Sequence, residues 1–247
     1  MTFCLGIRVD DGLVGIADTR VTSGTEVITA RKVSIYQHDR HSMFLMTSGL
    51  RSVRDKALTY FNEIIEEADE RFSRLYQAVN AFGEAIRRVA SEDRRALADS
   101  GVNFDVSCLV GGQLEDDGEH KLYLLYPQGN WVEIGEGTPF HIIGESGYGK
   151  PIMVRALNYH DSIRHALQVG ALAFDSTRIS ATDVDFPVDV VIYLRDRFEF
   201  IEHRLTKDDL REVSDWWQER LRQGVSELPD HGLRGLLDRL PDKDAKA

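Results

Sequence analysis

Apolar residues along this chain change their period in blocks, and that constrains the fold more than any single motif. The opening residues Phe3-Cys4-Leu5-Gly6-Ile7-Arg8-Val9 and Leu13-Val14-Gly15-Ile16-Ala17 are two short apolar runs joined by Asp10-Asp11-Gly12, a tripeptide suited to a hairpin turn. A second strand pair, residues 31–37 and 42–48, is expected around the polar turn His38-Asp39-Arg40-His41. Between Ser52 and Ala98 the spacing lengthens: Val53, Ala57, Tyr60 and Ile64, then Leu75, Val79, Phe82, Ile86 and Val89, recur at the interval of one helix face, which fits two helices. Strands return at 105–110, 121–126 and 131–134. A helical pair then covers Pro151 to Phe174 with a break near Tyr159-His160-Asp161, and two strands follow at 188–194 and 198–202.

The order is four strands, two helices, three strands, two helices, two strands. A parallel sheet requires a crossover between successive strands, usually a helix. Blocks of strands separated by helix pairs predict instead an α+β architecture of antiparallel sheets covered by helices. From Thr206 the chain reads as a further helix: Thr206-Lys207-Asp208-Asp209 resembles a capping box, Leu210, Val213, Trp217 and Leu221 keep one face, and Gly224 is suited to end it. A polar connection at 227–230 leads to a shorter amphipathic stretch from Leu233 to Leu240. Trp216 and Trp217, adjacent on that helix, are expected to point to two sides of it, one packed inward and the other half exposed. The organisation expected is a main domain over 1–203 and a C-terminal helical extension over 204–247, packing on that domain or on a neighbouring subunit.

Charge excludes some functions. The formal charge of -11 would repel nucleic acid, and the basic pairs Arg87-Arg88 and Arg94-Arg95 are interleaved with acids, as on a solvated helix face. Cys4 and Cys108 lie in apolar runs and read as buried, reduced thiols. No run approaches the ~18 apolar residues of a membrane span, and Met1-Thr2-Phe3-Cys4-Leu5 lacks the basic flank of a signal peptide, so a cytoplasmic protein without a membrane partner is expected. The eight histidines show no metal-binding spacing: His38 and His41 share a turn, and His160 and His165 are five apart.

Thr2 opens a strand, Ala17-Asp18-Thr19-Arg20 follows the next, Arg31-Lys32-Val33 begins a third, and Ser48-Gly49-Leu50 sits where a strand becomes a helix. Taken singly each has an ordinary structural reading: Asp18 a turn residue, Lys32 a solvated strand charge, Gly49 a helix start. Together, at these spacings, they resemble the proteasome β-subunit family of N-terminal-threonine hydrolases. Leu109-Val110-Gly111-Gly112, Gly144-Glu145-Ser146-Gly147 and Val188-Asp189-Val190-Val191 continue the resemblance, in order, over roughly residues 2 to 200. Proteasome β subunits usually carry a propeptide and this chain is read as having none. That, the long tail, Gly144-Glu145-Ser146-Gly147-Tyr148-Gly149-Lys150-Pro151 and Phe174-Asp175-Ser176-Thr177 look like Anbu, the bacterial proteasome homologue.

The resemblance implies a four-layer αββα sandwich, the N-terminal-nucleophile hydrolase fold, and a threonine-type peptidase working in a ring or helical homo-oligomer on polypeptide or peptide substrates. Thr2, exposed by removal of Met1, is the expected nucleophile. Its own α-amine, with a reference pKa of about 7.7–8.0, supplies the general base that a lone hydroxyl lacks. Lys32 is expected to act electrostatically beside Thr2, Asp18 to keep Lys32 charged and aimed, and the Gly49 amide to face the oxyanion. Ser146 and Asp175 match residues that hold the terminal amine. Because the interval from Asp175 to Asp189 is longer than in proteasome β subunits, Asp183 or Asp185 remains an alternative to Asp175. Backbone carbonyls near Phe174, Thr177 and Ser180 resemble a monovalent-cation loop of a relative, yet no side chain here calls for a metal or cofactor. Residues from Arg20 to Ile28 and from Gly49 to Arg54 are expected to shape the pocket. Two other functions stay open at this point: an amidase or acylase of the same nucleophile class acting on a small amide, and a catalytically quiet assembly subunit. Whether an unfoldase partner exists is likewise open.

Overall fold

The computed structural model describes residues 2–23, 26–67, 72–229 and 231–240; Met1, whose removal is expected above, lies outside them. Two five-stranded antiparallel sheets form the centre. The first contains β1 (Phe3–Val9), β2 (Gly12–Asp18), β10 (Phe140–Gly144), β11 (Val188–Leu194) and β12 (Phe200–Leu205), in the order β10-β1-β2-β11-β12. The second runs β5-β6-β7-β8-β9, with β5 (Val33–His38), β6 (His41–Gly49), β7 (Val106–Gln113), β8 (Lys121–Leu125) and β9 (Trp131–Glu133). Helices α1 (Arg51–Glu67) and α2 (Leu75–Asp99) pack on the second sheet, and α4 (Ile163–Ser180), preceded by α3 (Lys150–Ala156), packs on the first. The layers therefore read αββα.

Sandwiching explains the burial pattern. All seven residues of β1 and all seven of β2 are buried, because each strand has helix on one face and sheet on the other. Leu13, Phe44, Met46, Leu109, Leu122 and Tyr193 fill the space between the sheets. Beneath the α1–α2 pair, Phe61 and Phe82 meet edge to face at 5.2 Å beside Val79 and Ile86. Cys4 and Cys108 are buried free thiols, and burial pushes both well above the usual thiol range.

Several local expectations are revised. The hairpin β3 (Arg20–Ser23) and β4 (Glu26–Thr29) interrupts the opening block, which thus holds six strands, and β10 adds a fourth strand to the second block. The residues of β4 are all exposed and pair only with β3, so no apolar period marks them. Asp209 does accept the amide and hydroxyl of Thr206 at 2.7 Å each, but this closes a turn, and the helix α5 (Arg211–Ser226) begins beyond it and runs through Gly224.

The first compact unit extends to Asp209 and the second begins at Leu210. Within the second, α5 is followed by the short α6 (Arg234–Leu237). Trp216 and Trp217 do not diverge: their rings lie 6.3 Å apart with 26° between planes, and Trp216 is exposed. Among the described residues no helix is long and apolar enough to cross a membrane.

Candidate functional site

Thr2 is anchored through both polar ends of the peptide group that joins it to Phe3. The amide of Glu145, just past β10, donates to the Thr2 carbonyl at 2.6 Å, and the amide of Phe3 donates to Oδ1 of Asp18 at 2.8 Å. The first contact depends on Gly144, whose φ is +86° and where a Cβ would stand 1.9 Å from the Thr2 carbonyl oxygen. Only glycine permits that approach.

Asp18 ends β2 and is fully buried. Lys32, directly before β5 and 4% exposed, reaches it: Nζ lies 2.7 Å from Asp18 Oδ1 and donates to the Arg20 carbonyl at 2.7 Å. Arg20 adds its amide to Asp18 Oδ2 at 3.2 Å. Burial pushes the Asp18 carboxyl above the ordinary carboxylate range, while the Lys32 charge, its hydrogen bond and the two amides pull it down. With a cation and two N–H donors on its oxygens we take the carboxylate as the ionised form at neutral pH. Asp18 Oδ1 thus links the ammonium of Lys32 to the residue that follows Thr2.

Gly49 closes β6 with φ +117°, and a Cβ there would stand 2.4 Å from the Asp105 carbonyl oxygen. The next amide, Leu50, donates to that same oxygen at 2.8 Å, and α1 starts one residue later. This turn brings strand end and helix start to one cavity of about 350 Å³, lined by Thr2, Lys32 and Gly49 together with Arg20, Arg51 and Arg54. Both segments expected to shape the pocket contribute to its lining. A larger apolar cavity of about 400 Å³, bounded by Tyr36, Met43, Ile65 and Phe72, is separate from these groups and holds none of them.

Ser146 and Asp175 do not line the Thr2 cavity. Ser146 borders a different cleft with Gly147 and Lys150, and its carbonyl accepts the Lys150 amide at 3.0 Å. Asp175 is buried on α4, with Oδ1 2.6 Å from Arg178. Of the alternatives, Asp185 bonds Arg20 at 3.1 Å and Asp183 shares a side-chain hydrogen bond with Thr22; both partners line the cavity. Phe174, Thr177 and Ser180 all lie within α4, where the Thr177 carbonyl accepts the Ala181 amide at 2.8 Å. Among the described residues no cluster of three His, Cys, Asp or Glu could hold a metal ion.

Thr47 and Asp105 also line the cavity, and neither stood out in the sequence. Thr47 is a buried polar residue directly after the apolar run Met43 to Met46 of β6.

A cavity lined by a threonine, a buried ammonium and a strand-end glycine holds the kinds of group that acyl transfer uses. The family profile described as proteasome subunit matches residues 2–179. Among solved structures, the chain is similar to an Anbu (Gly-1) mutant from Hyphomicrobium sp. strain MC1, at 30% identity and TM-score 0.85, over 93% of this chain and 98% of that one. It is similar to Anbu, described as an ancestral beta-subunit, from Yersinia bercovieri, at 29% identity and TM-score 0.85, over 92% and 98%. A third is the helical assembly of the Anbu complex from Pseudomonas aeruginosa, at 29% identity and TM-score 0.85, over 92% and 97%. No curated protein matches the chain.

Proposed function

This chain belongs to the proteasome subunit family, and from that premise we propose that it is a threonine-type endopeptidase of the cytoplasm, with Thr2 as nucleophile once Met1 is removed. Thr2 Oγ attacks the scissile carbonyl while its proton passes to the neutral α-amine of the same residue. The amine then protonates the leaving nitrogen, which departs as the C-terminal fragment. Water, deprotonated by the same amine, cleaves the resulting ester and restores the hydroxyl. Lys32 offsets the negative charge that develops on oxygen. The Gly49 amide is assigned to the oxyanion, where such a donor contributes roughly 2.7–4 kcal/mol in acyl transfer.

The observation that carries this reading is the shared cavity of Thr2, Lys32 and Gly49, with Asp18 bonded to both Lys32 and Phe3. Asp185, through its bond to Arg20, and Asp183, through its bond to Thr22, are favoured over Asp175 because their partners line the cavity, and Ser146 is left as a residue of the adjoining turn. The enzyme works as a homo-oligomer, as the helical assembly of the Pseudomonas aeruginosa relative suggests. The exposed Trp216, Leu221 and Val225 of the C-terminal extension support a part in that assembly.

Intact-mass spectrometry with and without a threonine-directed epoxyketone tests the proposal. A chain lacking Met1 that gains one adduct, absent from Thr2→Ala, is the expected result. Adduct formation that survives Thr2→Ala would remove Thr2 from the mechanism, and a chain that keeps Met1 in the cell would favour a quiet assembly subunit.

A further inference from the structure

The cavity at Thr2 is unusual in its lining. Val21 is its sole hydrocarbon side chain among the described residues, and the other apolar groups on its wall belong to threonines and to the stems of lysine and arginine, each ending in a polar or charged group. Four cations, Arg20, Lys32, Arg51 and Arg54, line the same space against one carboxylate, Asp105.

Their counterions do not face the cavity. Lys32 is bonded to Asp18, and Arg20 to Asp185 at 3.1 Å. Arg51 and Arg54 both reach Asp55, at 3.3 and 2.6 Å, so one carboxylate serves two guanidiniums. None of Asp18, Asp55 and Asp185 is among the lining residues. Arg54 is the most sheltered of the three arginines, its side chain 14% exposed, and charge in such a setting is screened less than on open surface. The start of α1 at Arg51 adds the positive end of a 17-residue helix on the same side.

We infer that this cavity takes an acidic side chain of the substrate, that of the residue whose carbonyl Thr2 attacks, and that Arg54 with Arg51 and Arg20 sets this preference. A carboxylate there accepts hydrogen bonds from guanidinium groups that are only half compensated, and an ammonium is repelled. The inference rests on Thr2 as nucleophile.

The test uses the full chain and three peptide epoxyketones that differ only in the side chain beside the warhead: glutamate, leucine or lysine. Labelling of Thr2 is followed by intact mass against time. The glutamate probe is expected to react at least about tenfold faster than the leucine probe and the lysine probe slowest, with the advantage shrinking as salt is raised. Arg54→Met is expected to remove most of the rate advantage of the glutamate probe over the leucine probe, and Arg54→Lys to restore part of it. Arg51→Met, on a more exposed side chain, gives the same direction should Arg54→Met fail to fold. Thr2 labelling that favours leucine overturns the acidic preference, a glutamate preference untouched by these arginine changes overturns its assignment to Arg54, Arg51 and Arg20, and either result leaves the nucleophile standing. Absence of labelling by all three probes overturns the nucleophile and the preference together.

Discussion

The ammonium of Lys32 lies 2.7 Å from Oδ1 of Asp18, the oxygen that also accepts the amide of Phe3. One buried carboxylate therefore fixes both the charge of the cavity and the strand that carries Thr2. Removing either member leaves the other without its partner in a site with almost no solvent, and breaking such a pair typically costs about 3–5 kcal/mol. Lys32→Met and Asp18→Ala are each expected to destabilise the fold by that order, read as a lower urea midpoint at unchanged slope, and Lys32→Met to abolish turnover as well. The double variant Asp18→Ala with Lys32→Met should be less destabilised than the two single losses added. Single variants within about 1 kcal/mol of the parent would mean that the pair is not buried as described.

Gly144 offers a way to disturb Thr2 without touching it. Its φ of +86° and the 1.9 Å between an added Cβ and the Thr2 carbonyl oxygen leave an alanine no room. Gly144→Ala must push Thr2 away or give up the Glu145 amide bond. The expected outcome is a folded protein, destabilised by more than about 1 kcal/mol, whose epoxyketone labelling at Thr2 is largely lost. A labelling rate equal to the parent's would show that the position of Thr2 does not depend on this turn.

Much of this fold was readable because strands buried on both faces, such as β1 and β2, produce unbroken apolar runs, and α1 and α2 produce a clear helical interval. The hairpin β3–β4 left no such mark, since the residues of β4 are exposed and face no core. Thr206 to Asp209 carried the composition of a helix start, but hydrogen bonding between those two residues satisfies a turn equally well. At the site, Thr2, Asp18, Lys32 and Gly49 were recognisable as a set, whereas the pairing of Arg20 with Asp185 joins residues 165 apart in sequence and has no local signature. The same holds for Gly144, whose need for a positive φ arises only when β10 is laid beside Thr2.

Acid sensitivity should trace to His120. It is fully buried, Nε2 lies 2.7 Å from the Val9 carbonyl, and Nδ1 is buried with no hydrogen-bond partner among the described residues. A protonated ring would present two donors to one acceptor, and burial accordingly holds this imidazole below its ordinary value of 6.5. His141 is lowered by burial too. With the folded value depressed, the unfolded chain binds the proton first as acid is added, so the stability is present above pH 6.5 and is lost as pH falls toward the folded value. Each such histidine contributes a slope of up to about 1.4 kcal/mol per pH unit in that window. Urea titrations from neutral to mildly acidic pH should show this loss, and His120→Gln should flatten it; an unchanged slope in the variant would assign the sensitivity elsewhere.

Thr47 keeps a hydroxyl where stability would prefer a methyl. The residue is 3% exposed on β6, lines the Thr2 cavity, and its Oγ1 has no hydrogen-bond partner among the described residues. A buried hydroxyl left unpaired costs about 1–3 kcal/mol, so Thr47→Val, which keeps the branched shape, should raise the melting temperature or leave it unchanged. If the hydroxyl is retained because it meets the substrate during acyl transfer, the same variant should slow labelling of Thr2 by about tenfold, the worth of one hydrogen bond of ~1.4 kcal/mol. The two readouts move in opposite directions only when the unpaired group serves the reaction. A more stable variant with an unchanged labelling rate would make Thr47 a bystander of the cavity, and a less stable one would mean that its hydroxyl is bonded in the working protein.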